Sequence, residues 1–488
     1  MNSFRPAIYI SAILISILLI TYAIYVFPIP GTDSMVFMPP ALSFANNEGM
    51  TNHIYYVASF TDTSHSNRFN YYVPFFPMAL GWLSRIKPDI RTIFFICSLF
   101  SITGLMLYAR TIASYIKEPL SKTAKTTLVL TFTFLAMYLL PTVGRPENFS
   151  GLFVFLIFLL YHKKEDIHPA LYYTSIIVLF SVLFATQIIG LFFCFLFYAL
   201  FEILASKQII KTAAILTILF AAIAGGFCTI LTLSPHGLTE TINAIGWHIA
   251  LALNRADHSL KGLLYYWVYA PLSFGFVAIF GLATVFFVAE VRKKLKNANV
   301  LKIVFAAIVL LLLCFGFFKY VLNAAPTVYN ATQFILPLMT YIGYSLLSRK
   351  HISRTKIATT TLLITCFAGT LLFLRTFILF TDMVSTGRDF ASARAIVNSY
   401  TRNNKKVITS NGIWPIFENI KKPFVTITDQ FEHGDTIVLQ QAYFSYPEYI
   451  TNKCTVLYDW RSKEPVSFMG IKLANHPYGY GFVIFKTK

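Results

Sequence analysis

Acidic residues are scarce in this sequence, which has 21 Asp and Glu against 40 Lys and Arg among its 488 residues. Charged residues together make up only 12%, whereas hydrophobic residues reach 56% and the mean hydropathy is +0.63. A soluble globular protein carries about a quarter charged residues, so this composition excludes that class. Apolar runs recur along most of the chain, and they predict a polytopic α-helical membrane protein.

Cysteine is also rare, with six residues and no Cys-x-x-Cys or Cys/His spacing. This scarcity argues against a zinc site and against a disulfide framework. The formal charge of +19 does not indicate nucleic-acid binding, because the basic residues lie mainly in short loops between apolar runs. That distribution is typical of a membrane protein rather than of a groove for phosphates.

Eleven apolar segments are predicted to cross the bilayer, the first as a retained anchor because no small-residue cleavage site follows it. The two segments that meet at Gln187 fit either two spans or one long broken helix. The eleven segments are Ala7–Phe27, Ile90–Ala109, Thr126–Leu140, Phe149–Tyr161, Ala170–Thr186, Ile188–Ala205, Thr212–Leu233, Leu263–Glu290, Ile303–Phe318, Thr332–Leu347 and Ile357–Phe380.

Basic residues concentrate in alternate loops, which predicts a cytoplasmic N-terminus and an outer C-terminus. A long first loop, about residues 28–89, then lies outside, with interfacial helices on the outer leaflet such as the proline-rich segment Tyr71–Leu83. The loops predicted to be cytoplasmic carry Arg110, Lys117, Lys122, Lys125, Lys163, Lys164, Lys207, Lys211, Arg292, Lys293, Lys294, Lys296, Arg349, Lys350, Arg354 and Lys356.

The composition changes after Phe380 and divides the chain into two predicted domains. Residues 1–381 form the membrane domain, and residues 382–488 form a small outer α/β domain. In the second domain "TDMVSTGRDFASARAIVNSYTRNNKKVITSNG" shows a helix pattern and then a short β pattern. Four further strand candidates follow, "KPFVTIT", "DTIVLQQ", "CTVLYDW" and "YGFVIFK".

Ionisable and polar residues lie at the predicted outer ends of several spans, where they are costly unless they face a cavity. Asp33 follows the first span, and Arg145 and Glu147 follow the third in "LPTVGRPENFSG". Lys319, Tyr320 and Tyr329 lie between the ninth and tenth spans, in "FFKYVLNAAPTVYNATQFILPL". Arg91 and Arg255 are further outer cations, and guanidinium groups bind phosphate in a bidentate way.

The layout resembles the GT-C superfamily of membrane glycosyltransferases. The first outer loop opens with an acid in "GTDSMVFMPPALSFANNEG", and "YYVPFFPMALGWL" follows. A span then reads "IRTIFFICSLFSITGLMLYAR", another ends in "LLPTVGRPENF", and a late Tyr precedes a Pro-containing span in "VYNATQFILPL". A small outer α/β domain closes the chain, as in the aminoarabinose and protein-mannose transferases of this superfamily.

The resemblance implies a bacterial inner-membrane enzyme that takes a sugar from a polyprenyl-phosphate carrier and transfers it, with inversion, to an envelope glycan, lipid or protein. It implies that Asp33 is the catalytic base. Because the leaving group is an anion, the reaction needs cations or hydrogen bonds rather than a general acid. We expect Arg145, Lys319, Arg91, Arg255, Tyr320 and Tyr329 to bind the lipid phosphate, and Glu147 to join Asp33 in the active site. Beyond the donor and acceptor, membrane lipids are the expected partners.

Other interpretations stay open. Asp33 could cap a helix that begins at Ser34, and Glu147 could merely pair with Arg145. The need for a divalent metal stays open as well. The first loop of the superfamily often has paired acids, whereas Asp33 has no acidic neighbour before Glu48. The chain is also compatible with an O-antigen polymerase or ligase, with a secondary transporter, or with a non-catalytic envelope scaffold.

Overall fold

The computed structural model describes residues 4–25, 34–51, 74–115, 145–188, 190–191, 194–195, 198–199, 210–233, 239, 242, 377–378, 381–402, 407–409, 411–417, 424–425, 432–440, 448–461, 466–474 and 481–488. The chain divides into two compact units. The first unit contains Met1–Leu19, Val73–Phe75 and Leu99–Leu372, and the second contains Ile20–Tyr72, Phe76–Ser98 and Phe373–Lys488.

The described part of the chain is mostly helical. Its helices are α1 (Phe4–Tyr25), α2 (Ser34–Ala45), α3 (Phe75–Leu83), α4 (Ile90–Tyr115), α5 (Pro146–His162), α6 (Pro169–Thr186), α7 (Ile210–Leu233), α8 (Phe390–Thr401) and α9 (Glu448–Lys453). Its strands are β1 (Val407–Thr409), β2 (Phe424–Val425), β3 (Thr436–Gln440), β4 (Cys454–Asp459), β5 (Val466–Phe468), β6 (Ile471–Ala474) and β7 (Phe482–Thr487).

Three of these helices are long and apolar enough to cross a membrane: Ile90–Leu107 in α4, Pro169–Thr186 as α6, and Ala213–Leu233 in α7. Eighteen helical residues extend for about 27 Å, close to the thickness of the hydrocarbon layer. Large apolar side chains on these helices are exposed, among them Val178 at 53% and Phe220 at 68%. Exposed apolar side chains on helices of this length are expected to face lipid, which indicates a membrane protein.

Five predicted spans coincide with described helices, namely α1, α4, α5, α6 and α7. The interruption at Gln187 is present, since α6 ends at Thr186, Gln187 is extended (φ −163°, ψ 105°) and helical residues resume at Ile188. The predicted spans at 126–140, 263–290, 303–318 and 332–347 lie outside the described residues, as does most of 357–380.

A glycine pair brings α7 close to α6 in the core of the first unit. A Cβ atom at Gly225 would lie 2.5 Å from the hydroxyl of Ser181, and one at Gly226 would lie 2.6–2.8 Å from Phe184, including its Cβ. The ring of Phe184 also contacts that of Phe227, with the centroids 5.1 Å apart. Small residues let two apolar helices approach closely where lipid supplies no hydrophobic driving force between them.

Replacing Gly226 by alanine should destabilise the protein by about 1–2 kcal/mol, although alanine is the better helix former. The added methyl group meets the Cβ of Phe184, which cannot move without the backbone of α6. The measurement is unfolding of the purified protein in mixed micelles. Gly151→Ala is the matched control, because its Cβ would meet only one atom, at 3.9 Å. Equal stability of both variants would contradict the close approach.

In the second unit, α2 packs against α3. A Cβ atom at Gly81 would lie 2.5 Å from the carbonyl oxygen of Ala41, and the rings of Phe37 and Phe76 are in edge contact at 5.4 Å. The helix expected within 71–83 is therefore present, with one face buried on α2. Its C-terminal end leaves Trp82 64% exposed, and Ile86, in the following turn, is 95% exposed.

The C-terminal segment of the second unit contains a five-stranded sheet in the order β2-β1-β3-β7-β4. Strand β1 pairs parallel with β2 and β3, whereas β7 is antiparallel to both β3 and β4. Each of the four quoted strand segments overlaps one of these strands, namely β2, β3, β4 and β7. A separate hairpin joins β5 and β6 through Met469 (φ 49°) and Gly470 (φ 78°), the conformation of a two-residue type I′ turn.

Candidate functional site

A buried polar cluster lies where α5 begins in the first unit. Arg145 is the N-cap residue, with an extended backbone (φ −107°, ψ 153°), and Pro146 occupies the first helical position. Proline suits that position because its missing N–H would have no partner there. Glu147 follows in the first turn, where the positive end of the helix dipole favours a carboxylate.

Arg145 and Glu147 form a bidentate ion pair. The Nε atom of Arg145 donates to Oε2 of Glu147 at 2.9 Å, and Nη2 donates to Oε1 at 2.9 Å. Glu147 is only 3% exposed, while the side chain of Arg145 keeps 26% exposure. The pair thus joins a buried carboxylate to a guanidinium that still reaches the surface.

The end of α6 completes this cluster. The Nε2 atom of Gln187 donates to Oε1 of Glu147 at 3.4 Å, a long contact. The hydroxyl of Ser150 lies 2.8 Å from Oε1 of Gln187 and 3.0 Å from the carbonyl oxygen of Glu147, and it can donate to either. Gln187 is 5% exposed and Ser150 is fully buried. The break after α6 therefore places an amide against the carboxylate of Glu147.

A second polar contact ties α5 to α4. The Nδ2 atom of Asn148 donates to Oγ of Ser101 at 2.6 Å, and both residues are buried. Phe149 lies beside this contact and packs on Phe75, Phe100 and Phe153, with ring centroids 4.5–5.8 Å apart. The polar groups are thus fixed by helix packing, and an aromatic layer adjoins them.

This arrangement holds a charged pair at the end of two apolar helices. Because α5 and α6 are joined by a short turn (Lys164–Asp166), the start of α5 and the end of α6 lie at the same end of the hairpin. Burying a charged pair costs free energy of desolvation, and further hydrogen bonds to the pair help to offset that cost. Gln187 supplies one such bond to Glu147. Ionisable residues in such places usually serve a function rather than stability.

The structure brings two of the predicted site residues together, Arg145 and Glu147. The ion pair between Arg145 and Glu147, one of the interpretations that the sequence left open, is present. Arg91 belongs to the second unit, where its guanidinium lies 5.0 Å from the ring centroid of Phe390. The other predicted site residues lie outside the described residues: Asp33, Arg255, Lys319, Tyr320 and Tyr329.

Sequence reasoning did not assign Gln187 and Ser150 to this site. One signal was available, since Gln187 carries a side-chain amide inside the otherwise largely apolar run "LFATQIIGLFF". Its partner Glu147 is 40 positions away, and a contact over that separation cannot be predicted from a local sequence pattern.

Within the described residues, no three His, Cys, Asp or Glu side chains come close enough to hold a metal ion. Asp33 and the histidines of the first loop lie outside that part of the chain. No protein-family model matches this chain, and no curated protein matches its sequence.

Proposed function

We propose that this protein is an integral membrane glycosyltransferase of the GT-C type. It transfers a sugar from a polyprenyl-phosphate carrier to a glycan, lipid or protein acceptor on the outer face of the bacterial inner membrane. The supporting observation is the ion pair of Glu147 and Arg145 at the end of the α5–α6 hairpin, because a charged pair near the membrane boundary suits a reaction on a lipid phosphate.

The reaction is a single displacement at the anomeric carbon. The acceptor oxygen forms a bond to that carbon, and the bond from the carbon to the phosphate oxygen breaks. The polyprenyl phosphate leaves with the electron pair, and the carboxylate of Asp33 takes the proton of the acceptor hydroxyl. Negative charge builds up on the leaving phosphate, so cations near it lower the barrier.

Arg145 is one cation in this proposal, with Lys319 and Arg255 as the others and Tyr320 and Tyr329 as hydrogen-bond donors. Arg91 belongs to the second unit and is left out of this set. A guanidinium binds a phosphate most effectively when the orientation of its plane is fixed. The bidentate contact with Glu147 fixes the plane of Arg145. That contact engages both carboxylate oxygens of Glu147. We therefore assign Glu147 the role of a positioning residue for Arg145, rather than that of a second base.

The direct test is mass spectrometry of the envelope glycans from a deletion strain beside the wild type. We expect one glycan, lipid or protein to lack a single sugar, and its sugar-free form and the loaded carrier to accumulate. A plasmid copy should restore the product. Unchanged glycans in a strain shown to express the wild-type protein would reject the proposal.

A secondary transporter is the second candidate, because the helical path breaks at Gln187 beside the buried Glu147. Transporters often bind substrates at interrupted helices of this kind. Proteoliposomes separate the two functions. A transporter moves a labelled solute into the vesicle without changing it, whereas a transferase joins the label covalently to an acceptor.

A further inference from the structure

We propose that Arg91 and Arg394 form a binding site for the phosphate of an anionic phospholipid, built on the ring of Phe390. All three residues belong to the second unit. Arg91 lies in the first turn of α4, while Phe390 and Arg394 lie one turn apart on α8. The site does not require that the protein be a transferase.

The ring of Phe390 holds the two guanidinium groups near each other. The guanidinium carbon of Arg91 lies 5.0 Å from the ring centroid, and that of Arg394 lies 5.8 Å from it. The two carbons are therefore less than about 11 Å apart, the sum of those distances. Phe390 is only 3% exposed, whereas Arg91 is exposed and Arg394 half-buried. Cations stacked on an aromatic face keep their N–H groups available at the edge.

The depth of the site follows from α4. Its membrane-length segment is Ile90–Leu107, so Arg91 is the second residue of that segment. The hydrocarbon layer ends near there, and the lipid phosphates lie just beyond it. Because Arg394 stacks on the same ring as Arg91, α8 brings a second cation to this depth.

Charge at the site is not neutralised locally. Among the residues that the structure describes, no carboxylate forms an ion pair with either guanidinium. The two acids nearest in sequence are engaged elsewhere. Asp89 accepts from the amide of Thr92 at 2.8 Å and pairs with Lys87 at 3.3 Å, while Asp389 accepts from the amide of Ser392 at 2.9 Å. The two guanidinium groups are therefore available to an anion from outside the described residues.

Exposed apolar side chains point to a lipid rather than to a soluble phosphate. Trp82 and Ile86, which precede α4, are 64% and 95% exposed. Tryptophan is enriched where headgroups meet hydrocarbon, and an exposed isoleucine gains free energy from burial there. The same boundary thus offers apolar contacts for acyl chains and two guanidinium groups for a phosphate.

The test is native mass spectrometry of the full-length protein in detergent with added phosphatidylglycerol. Removing each positive charge should weaken binding about fivefold, so Arg91→Gln/Arg394→Gln should weaken it about twenty-five-fold. Replacing both by lysine should retain most of the affinity, because the charges remain. Arg402→Gln is the matched control, since Arg402 is an exposed residue at the end of α8 with no aromatic contact among the described residues.

Hydrogen exchange of the wild-type protein in nanodiscs gives a test without any variant. Phosphatidylglycerol should slow exchange in residues 390–401 more than phosphatidylcholine does. Equal slowing by the two lipids, or equal weakening by Arg402→Gln, would overturn the site. Protection by a polyprenyl phosphate but not by phosphatidylglycerol would also overturn it, because the pair would then bind the sugar carrier.

Discussion

Replacing Asp33 by asparagine should lower the rate of sugar transfer by about two to four orders of magnitude, the usual contribution of a general base. Asparagine has nearly the same shape as aspartate but cannot take the proton of the acceptor hydroxyl. The measurement is transfer of a labelled sugar from carrier to acceptor by the purified enzyme.

The same substitution separates catalysis from helix capping. Helix α2 begins at Ser34, as the capping interpretation requires, so Asp33 immediately precedes it. Asparagine is as good an N-cap as aspartate, and Asp33→Asn should therefore leave the unfolding midpoint unchanged. Asp33→Ala removes both functions and should cost about 1 kcal/mol of stability in addition. Full activity in a well-folded Asp33→Asn enzyme would remove this residue from the mechanism.

Replacing Glu147 by alanine should destabilise the protein by about 3 kcal/mol, the lower end of the cost of breaking a buried ion pair. The substitution leaves the guanidinium of Arg145 without its carboxylate and the amide of Gln187 without an acceptor. The remaining 26% exposure of Arg145 is the reason for choosing the lower end of that range. Denaturation in mixed micelles measures the loss. Glu165→Gln, an exposed acid in the turn after α5, should be neutral.

A double variant then separates stability from function. Arg145→Gln/Glu147→Gln removes both charges, and it should recover more than half of the stability that Glu147→Ala loses. If Glu147 positions Arg145 for a phosphate, the double variant should bind the donor poorly, with a raised KM. A double variant with wild-type kinetics would show that the pair only supports the helices.

Much of the helical framework could be predicted from the sequence, because it depends on local apolar runs. The starts of α2 at Ser34 and of α4 at Ile90 coincide with the predicted positions. Helix α5 begins at Pro146, three residues before the predicted Phe149. The predicted segment left out the polar residues Glu147 and Asn148, but both are buried in the structure. Their polar groups bind other side chains, such as Ser101 for Asn148, and a hydropathy pattern does not reveal such partners.

Of the contacts in the site, only the one between residues close in sequence could be predicted. Arg145 and Glu147 are two positions apart, so their pairing was visible as an alternative. The contacts from Gln187 and from Phe390 depend on how helices pack, and they connect residues 40 and 299 positions apart.

In the sheet, too, local elements could be predicted but long-range pairing could not. Its strands were predictable from short apolar runs, but the parallel pairing of β1 with both neighbours was not.

The triplet Asn148-Phe149-Ser150 matches the acceptor sequence for N-linked oligosaccharides. In the folded protein the amide of Asn148 is bound to Ser101, and the Ser150 hydroxyl lies against Gln187. An oligosaccharyltransferase could therefore reach this asparagine only before α4 and α5 come together. In a eukaryotic expression host, a glycan at this position would mark molecules in which α4 and α5 had failed to assemble.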